Sequence, residues 1–169
     1  MARARRTFYT ARRRTVKWSP HLIEERLAIT ANSESFGSYQ LLAKNSSDSS
    51  TPTPSVIKVK NFRVSVDTLL GSSSFSSSLQ TFNVYVIFIP EGVTITQDTP
   101  KQHPEWLLGW KSVNEITHQQ RDTTVITSRL ARNLNSGDSV YVLFTGSQGP
   151  NVSQTINVNI VASYVTRAN

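Results

Sequence analysis

Arginine is the residue type whose number and spacing most clearly indicate a chemistry in this chain of 169 residues. The first eighteen residues, MARARRTFYTARRRTVKW, here named the basic arm, hold seven basic side chains and no acidic one. Residues 19–169 hold eleven of each sign, so the net charge of +7 belongs to the arm. Cations held near phosphates release condensed counterions, which favours binding of any polyanion. We therefore predict that these side chains bind nucleic acid: Arg3, Arg5, Arg6, Arg12, Arg13, Arg14 and Lys17.

Three aromatic side chains lie among or beside the arginines, namely Phe8, Tyr9 and Trp18. Unpaired bases stack on such rings, with about 1–3 kcal/mol per base, so these three are candidates for base stacking. Two other readings of the arm stay open. It could be a disordered, solvated basic tail, or a nuclear import signal, and import would be an added role rather than a competing one.

Residues that could support catalysis or metal binding are scattered. The histidines, His21, His103 and His118, form no His-x-His pair, and the chain has no cysteine. Glu24 and Glu25 adjoin, but neighbours on a strand point to opposite faces. The Gly-Ser loop at residues 71–74 lacks the second glycine of a nucleophile elbow. The sequence predicts no catalytic site, no metal site and no cofactor, so we expect a protein that is not an enzyme.

The segment HPEWLLGWKSV, residues 103–113, carries two of the three tryptophans. Tryptophan supplies a large buried area, so Trp106 and Trp110 are predicted as core or subunit-interface anchors. A platform for stacking bases or sugars is the alternative. Arg129 and Arg132 could line a surface beside the arm, or could be ordinary solvated or salt-bridged strand charges.

These side chains must be positioned by strands, because Ser, Thr and Asn are abundant and no long amphipathic helix is visible. After Ser19-Pro20, which could open a helix, HLIEERLAIT places Ile23, Leu27 and Ile29 on one face of a strand, and we weakly favour the strand. VIKVKNFRVSVDTLL, residues 56–70, alternates but changes parity near Lys60-Asn61, which predicts a β-bulge or bend there. Residues 82–89 and 139–146 are apolar at nearly every position and predict strands buried on both faces. Residues 155–165 alternate cleanly, which predicts one dry and one wet face.

The remaining segments are weaker in pattern. Residues 103–113 predict a short strand with flanking loops, and TTVITSRLARNL predicts an extended segment. Asn135-Ser136-Gly137-Asp138 is a turn signal that predicts a hairpin or a tight corner between its neighbours. Residues 31–55 and 71–79 are read as loops, and 43–55 and 71–79 as exposed ones. The count is about seven or eight strands, and the uneven loops favour a Greek-key all-β sandwich or barrel.

No apolar segment reaches the length of a signal core or a membrane span, since the longest run is Val84–Ile89. We therefore expect an intracellular protein with no membrane insertion. In that setting the Asn-x-Ser sequons at Asn45 and Asn151 are accidents of a Ser-rich composition.

A basic arm before a Greek-key sandwich of this size is the layout of small icosahedral virus coats. Three stretches make the likeness specific: TPTPSVIKVKNFRVSVD, then VYVIFIPEGV with HPEWLLGWKSV, and SRLARNLNSGDSVYVLFTG. Together they resemble the capsid proteins of eukaryotic circular single-stranded DNA viruses, the circovirus-like group, over roughly residues 3–165.

The resemblance implies a single eight-stranded jelly roll over residues 19–169, preceded by a disordered arm over residues 1–18. It implies that about sixty copies build a T=1 icosahedral shell. The arginines of the arm and Lys17 would package circular single-stranded DNA and serve nuclear import. Implied partners are other copies of the chain, single-stranded DNA, host import receptors and a cell-surface receptor. The protein would be found in the virion, and in the host nucleus during assembly.

Two alternatives share parts of this pattern. The coat of a satellite or small RNA virus has the same arm and fold, because an arginine arm binds either polymer. A cellular β-sandwich module that binds carbohydrate and carries a basic tail would instead be a monomer with a ligand groove.

Overall fold

The chain folds into β-strands in a computed structural model that describes residues 17–46, 55–71, 79–113, 122–149 and 153–168. Those ranges contain nine strands. They are β1 (Ser19–Ala31), β2 (Ser35–Lys44), β3 (Val56–Gly71), β4 (Leu79–Ile89), β5 (Leu107–Val113), β6 (Asp122–Ser128), β7 (Arg132–Asn135), β8 (Ser139–Gln148) and β9 (Gln154–Ala168). The described helices are a single turn, α1 (Thr99–Gln102), and a 3-10 turn, Pro104–Trp106. The predicted all-β class is confirmed.

The strands form two antiparallel sheets that pack face to face. The first sheet has the order β1-β9-β3-β6, with β7 paired to the start of β3, and the second has the order β2-β8-β4-β5. The chain alternates between the sheets along most of its length, which is the interleaved Greek-key connectivity of a jelly roll. The predicted eight-stranded jelly-roll sandwich is therefore confirmed, with β7 as a short addition.

The core lies between the two sheets. Each strand contributes alternate apolar side chains, and three phenylalanines, Phe62, Phe82 and Phe144, are at most 1% exposed. Phe82 stacks with Phe144 at 5.9 Å between ring centroids. On β9 the buried set is Ile156, Val158, Ile160, Ala162 and Tyr164, as the alternation predicts.

The parity change in β3 is a β-bulge. Pairing of β3 with β9 shifts register between Lys60 and Arg63, and Asn61 has a positive φ of 56°. Val59 and Phe62 are both fully buried, so the buried set changes parity across the bulge. The predicted bulge is confirmed at its predicted position.

The turn between β7 and β8 is a corner, since β7 belongs to the first sheet and β8 to the second. The buried carboxylate of Asp138 accepts backbone hydrogen bonds from Asn135 at 2.9 Å and Glu91 at 3.0 Å. Asn45 is fully buried beside it, and its backbone N–H donates to the carbonyl of Asp138. Burial of Asn45 agrees with the reading of its sequon as accidental, while Asn151 lies outside the described residues.

Strands β4 and β8 occupy the two central positions of the second sheet, as predicted. Their second apolar face, with Ile87, Ile89 and Leu143, is covered by Ile95 and Trp106 from the connection between β4 and β5.

Three expectations need correction. Residues 31–55 are not one loop, because β2 lies within them. The alternation there is weak, and a bulge between Leu41 and Ala43 breaks it. The segment before β5 contains two helical turns rather than simple loops. The extended segment TTVITSRLARNL is split into β6 and β7. Within the predicted loops, residues 47–54 and 72–78 lie outside the described residues.

Candidate nucleic-acid interface

The basic arm joins the domain at the start of β1, where Trp18 is partly buried. The Nζ of Lys60 lies 4.0 Å from the centroid of the Trp18 ring, and the guanidinium carbon of Arg167 lies 5.4 Å from it. These cation–π contacts fix the last aromatic residue of the arm against β3 and β9. Lys17 is exposed just before it. The six arginines of the arm, with Phe8 and Tyr9, lie outside the described residues.

The surface around Trp18 is the outward face of the first sheet. Lys58 and Lys60 flank the buried Val59, so they point away from the core. Arg63 is exposed between two fully buried residues, Phe62 and Val64, and therefore points outward as well. In the antiparallel register, Lys58 pairs with Arg167. We name Lys58, Lys60, Arg63 and Arg167 the basic patch.

The sequence analysis did not predict the basic patch. The lysines of β3 were visible as one face of an alternating strand, but Arg167 lies more than a hundred residues away in the chain. Only the pairing of β3 with β9 brings these cations together. The sequence did contain one sign of the patch: the parity change in β3 places Arg63 on the same face as Lys58 and Lys60.

Trp106 and Trp110 lie on the outward side of the second sheet but in different settings. Trp106 packs on the cluster of Ile87, Ile89 and Leu143, and its ring stacks on His103 at 3.8 Å. Trp110, on the edge strand β5, is 60% exposed and stacks on Tyr85. Trp106 is thus partly a core residue, whereas Trp110 is largely exposed.

A second aromatic pair lies on the same outward face. Tyr39, which is 54% exposed, meets Tyr141 edge to face at 5.6 Å. Tyr85 and Tyr141 both pack against the cluster under Trp106. The sequence analysis did not single out these tyrosines, although their alternation with buried residues on β4 and β8 is visible once the strands are known.

The titratable residues form no catalytic arrangement in the described ranges. His21 stacks on Tyr164 and contacts the Thr166 hydroxyl at 2.8 Å. His103 pairs with Glu105 at 3.1 Å. The backbone N–H of Glu105, and then His103, lower the pKa of the Glu105 carboxyl. His118 lies outside the described residues. No three His, Asp or Glu side chains of the described part converge as metal ligands.

The guanidinium of Arg132 contacts two other segments: it donates to the backbone carbonyl of Glu105 and lies 5.7 Å from the ring of Phe88. Arg129 is exposed after β6. The cations that contact Trp18, the last residue of the arm, are Lys60 and Arg167. A position of Arg129 and Arg132 beside the arm stays a prediction, because residues 1–16 lie outside the described residues.

Neither helical turn in the described part of the chain is long and apolar enough to cross a bilayer. No protein-family model matches the sequence, and no curated protein matches it. Among solved structures, the chain is similar to one described as Desmodium yellow mottle tymovirus. Identity is 11% and the TM-score is 0.33, over 87% of this chain and 88% of that one.

Proposed function

We propose that this chain is the coat protein of a small icosahedral virus, which assembles with copies of itself and packages single-stranded nucleic acid. The observation that carries the proposal is the jelly-roll strand order, with β1 beginning directly after a strongly basic arm. Jelly rolls are typical of viral capsids, and they also occur in lectin domains and cupins. The arm is the feature that favours the capsid among these.

The separation of charge supports a packaging role for residues 1–18. All of the net charge of +7 belongs to the arm, while the residues that build the sandwich are neutral overall. A neutral body can approach identical neighbours without long-range repulsion, and the arm can neutralise phosphates.

Exposed aromatic side chains support self-association. Tyr39 and Trp110 each expose more than half of their surface on the outward side of the second sheet. Large exposed aromatic groups are typical of surfaces that a partner covers. A closed symmetric assembly would cover Trp110 on each copy.

The resemblance to circovirus-like capsids extends the proposal. It favours circular single-stranded DNA as the cargo, about sixty copies in a T=1 shell, and an arm that also serves nuclear import. RNA as the cargo is the alternative, because the phosphate contacts of an arginine arm are the same for both polymers.

Carbohydrate binding is the second candidate function. The observation that favours it is the pair of aromatic contacts, Tyr39 with Tyr141 and Tyr85 with Trp110, on one sheet face. Exposed rings offer apolar faces to the apolar face of a sugar. This reading requires a monomer that carries no nucleic acid.

Electron microscopy of the purified full chain tests these readings directly. We expect uniform round particles whose ultraviolet absorbance shows nucleic acid, and digestion with DNase or RNase would then identify the cargo. A clean monomer without nucleic acid at several salt concentrations would contradict the capsid proposal and support the second candidate.

Removal of residues 1–18 tests the role of the arm. We expect the shortened chain to fold and associate but to carry little nucleic acid, because the seven arm cations are gone. The matched control is the full chain with all six arm arginines changed to lysine, which keeps the charge and should keep most of the cargo. If the shortened chain holds as much nucleic acid as the full chain, the arm does not package it.

A further inference from the structure

The basic patch stands on the outward face of the first sheet, at the end where the arm joins β1. We propose that Lys58, Lys60, Arg63 and Arg167 form a phosphate-binding site on the folded domain. The site holds the backbone of the nucleic acid at the point where the chain of the arm meets β1. This inference rests on the proposed function, and it assigns to the domain a part of the binding that the sequence places in the arm alone.

The first observation is the grouping of like charges. Lys58 lies directly opposite Arg167 in the register, so their Cα atoms are about 5 Å apart. Among the described residues, no carboxylate lies within salt-bridge distance of Lys58, Lys60 or Arg63. A bound phosphodiester would place a negative charge beside these three cations.

The bulge supplies the third cation of β3. In an unbroken strand, Arg63 would share a face with Val59 and point into the core. The extra residue at Lys60–Asn61 moves Arg63 to the face of Lys58 and Lys60. Asp67 is the next charged residue on this face of β3, about 13 Å further along the strand. The patch is therefore positive over a length that suits successive phosphates of one strand.

Trp18 connects the patch to the arm. Its ring is in contact with two members, Lys60 and Arg167. A lysine ammonium carries three donors, so the cation–π contact of Lys60 leaves N–H groups for a phosphate oxygen. The contact also fixes where the arm leaves the domain. Phosphates neutralised by the arm can thus continue directly onto the patch.

Binding of a fluorescent thymidine oligonucleotide to the full chain, measured by anisotropy over a range of NaCl concentrations, tests the proposal. The test variant is K58Q/K60Q/R63Q, and the matched control K44Q/K101Q/K111Q removes three exposed lysines outside the first sheet. For single-stranded nucleic acid, each phosphate contact contributes about −0.7 to the slope of log K against log salt concentration. We expect this negative slope to be shallower by about 2 in the test variant, with at least tenfold weaker binding at moderate salt.

The control should keep the slope of the unaltered chain, and the conservative variant K58R/K60R/R63K should keep it too. If the test variant binds with the slope and affinity of the control, the patch is not a phosphate site. In that case, the proposed function would still be supported if removal of residues 1–18 abolished binding of the oligonucleotide. If the unaltered chain does not bind the oligonucleotide, the proposed function and this inference both fail.

Discussion

Tyr164 joins the two sheets through one hydroxyl. It lies on β9 in the first sheet, is 8% exposed, and donates a hydrogen bond of 2.9 Å to the backbone carbonyl of Leu42 on β2. Its ring stacks with His21 and Phe62, at 4.9 Å and 5.4 Å between centroids. Burial raises the pKa of the Tyr164 phenol above its ordinary value of 10.0. The folded state therefore favours the protonated phenol.

This raised pKa makes stability fall at high pH. The unfolded chain loses the proton first, so the contribution is fully present below about pH 10 and is lost as pH rises through the folded pKa. We expect Tyr164→Phe to lower the free energy of unfolding at pH 8 by about 1 kcal/mol and to weaken the alkaline loss. Denaturant titrations at successive pH values measure both effects. Tyr39→Phe, at an exposed site, should change neither, and an unchanged alkaline slope in Tyr164→Phe would refute the assignment.

At the scale of the element, the bulge in β3 depends on one residue with a positive φ, Asn61. Asparagine tolerates this conformation, whereas a β-branched residue there costs about 1–2 kcal/mol. We expect Asn61→Val to lower the free energy of unfolding by that amount, as measured by denaturant titration. Asn61→Gly, which accepts the same φ, is the control and should be nearly neutral. Equal effects of the two variants would mean that the bulge does not depend on the φ of Asn61.

Strands with a strong pattern of apolar residues could be predicted from the sequence. A strand that depends on pairing with a neighbouring strand could not. β9 alternates over its whole length, and β4 is apolar enough to mark a strand buried on both faces. β2 instead interrupts its alternation at a bulge next to Leu42 and is bounded by Ser-rich segments. Pairing with β8 supplies the backbone hydrogen bonds that make it a strand. Local pattern contains no information about that partner.

The candidate site also has a part that the sequence could suggest and a part that only the fold brings together. The arm could be proposed from the sequence because its seven cations all lie within eighteen residues of chain, and its binding role stays a prediction. The basic patch could not, because its members meet only when β3 pairs with β9. The exposure of Trp110 also required the sheet order, since β5 is the edge strand of its sheet and the ring, stacked on Tyr85, is 60% exposed.

At the scale of the whole molecule, the two outward faces differ in chemistry. The first sheet presents the basic patch beside the arm, and the second presents exposed aromatic rings. Because the sheets are the two layers of one sandwich, these faces point in opposite directions. Under the proposed function, the basic patch would contact nucleic acid on one side of the sandwich, and the exposed rings would contact other copies of the chain on the opposite side.

Trp110 allows a test of assembly without a large change in the fold. Its ring is 60% exposed, so Trp110→Lys should alter the free energy of unfolding by less than about 0.5 kcal/mol. If other copies cover Trp110, a charge placed in that contact should raise the protein concentration needed for assembly at least tenfold, which is about 1.4 kcal/mol for each contact. Light scattering over a concentration series measures this threshold. Leu130→Lys, at a residue 56% exposed outside the strands, is the control. Assembly of Trp110→Lys at the threshold of the unaltered chain would exclude Trp110 from the subunit interface.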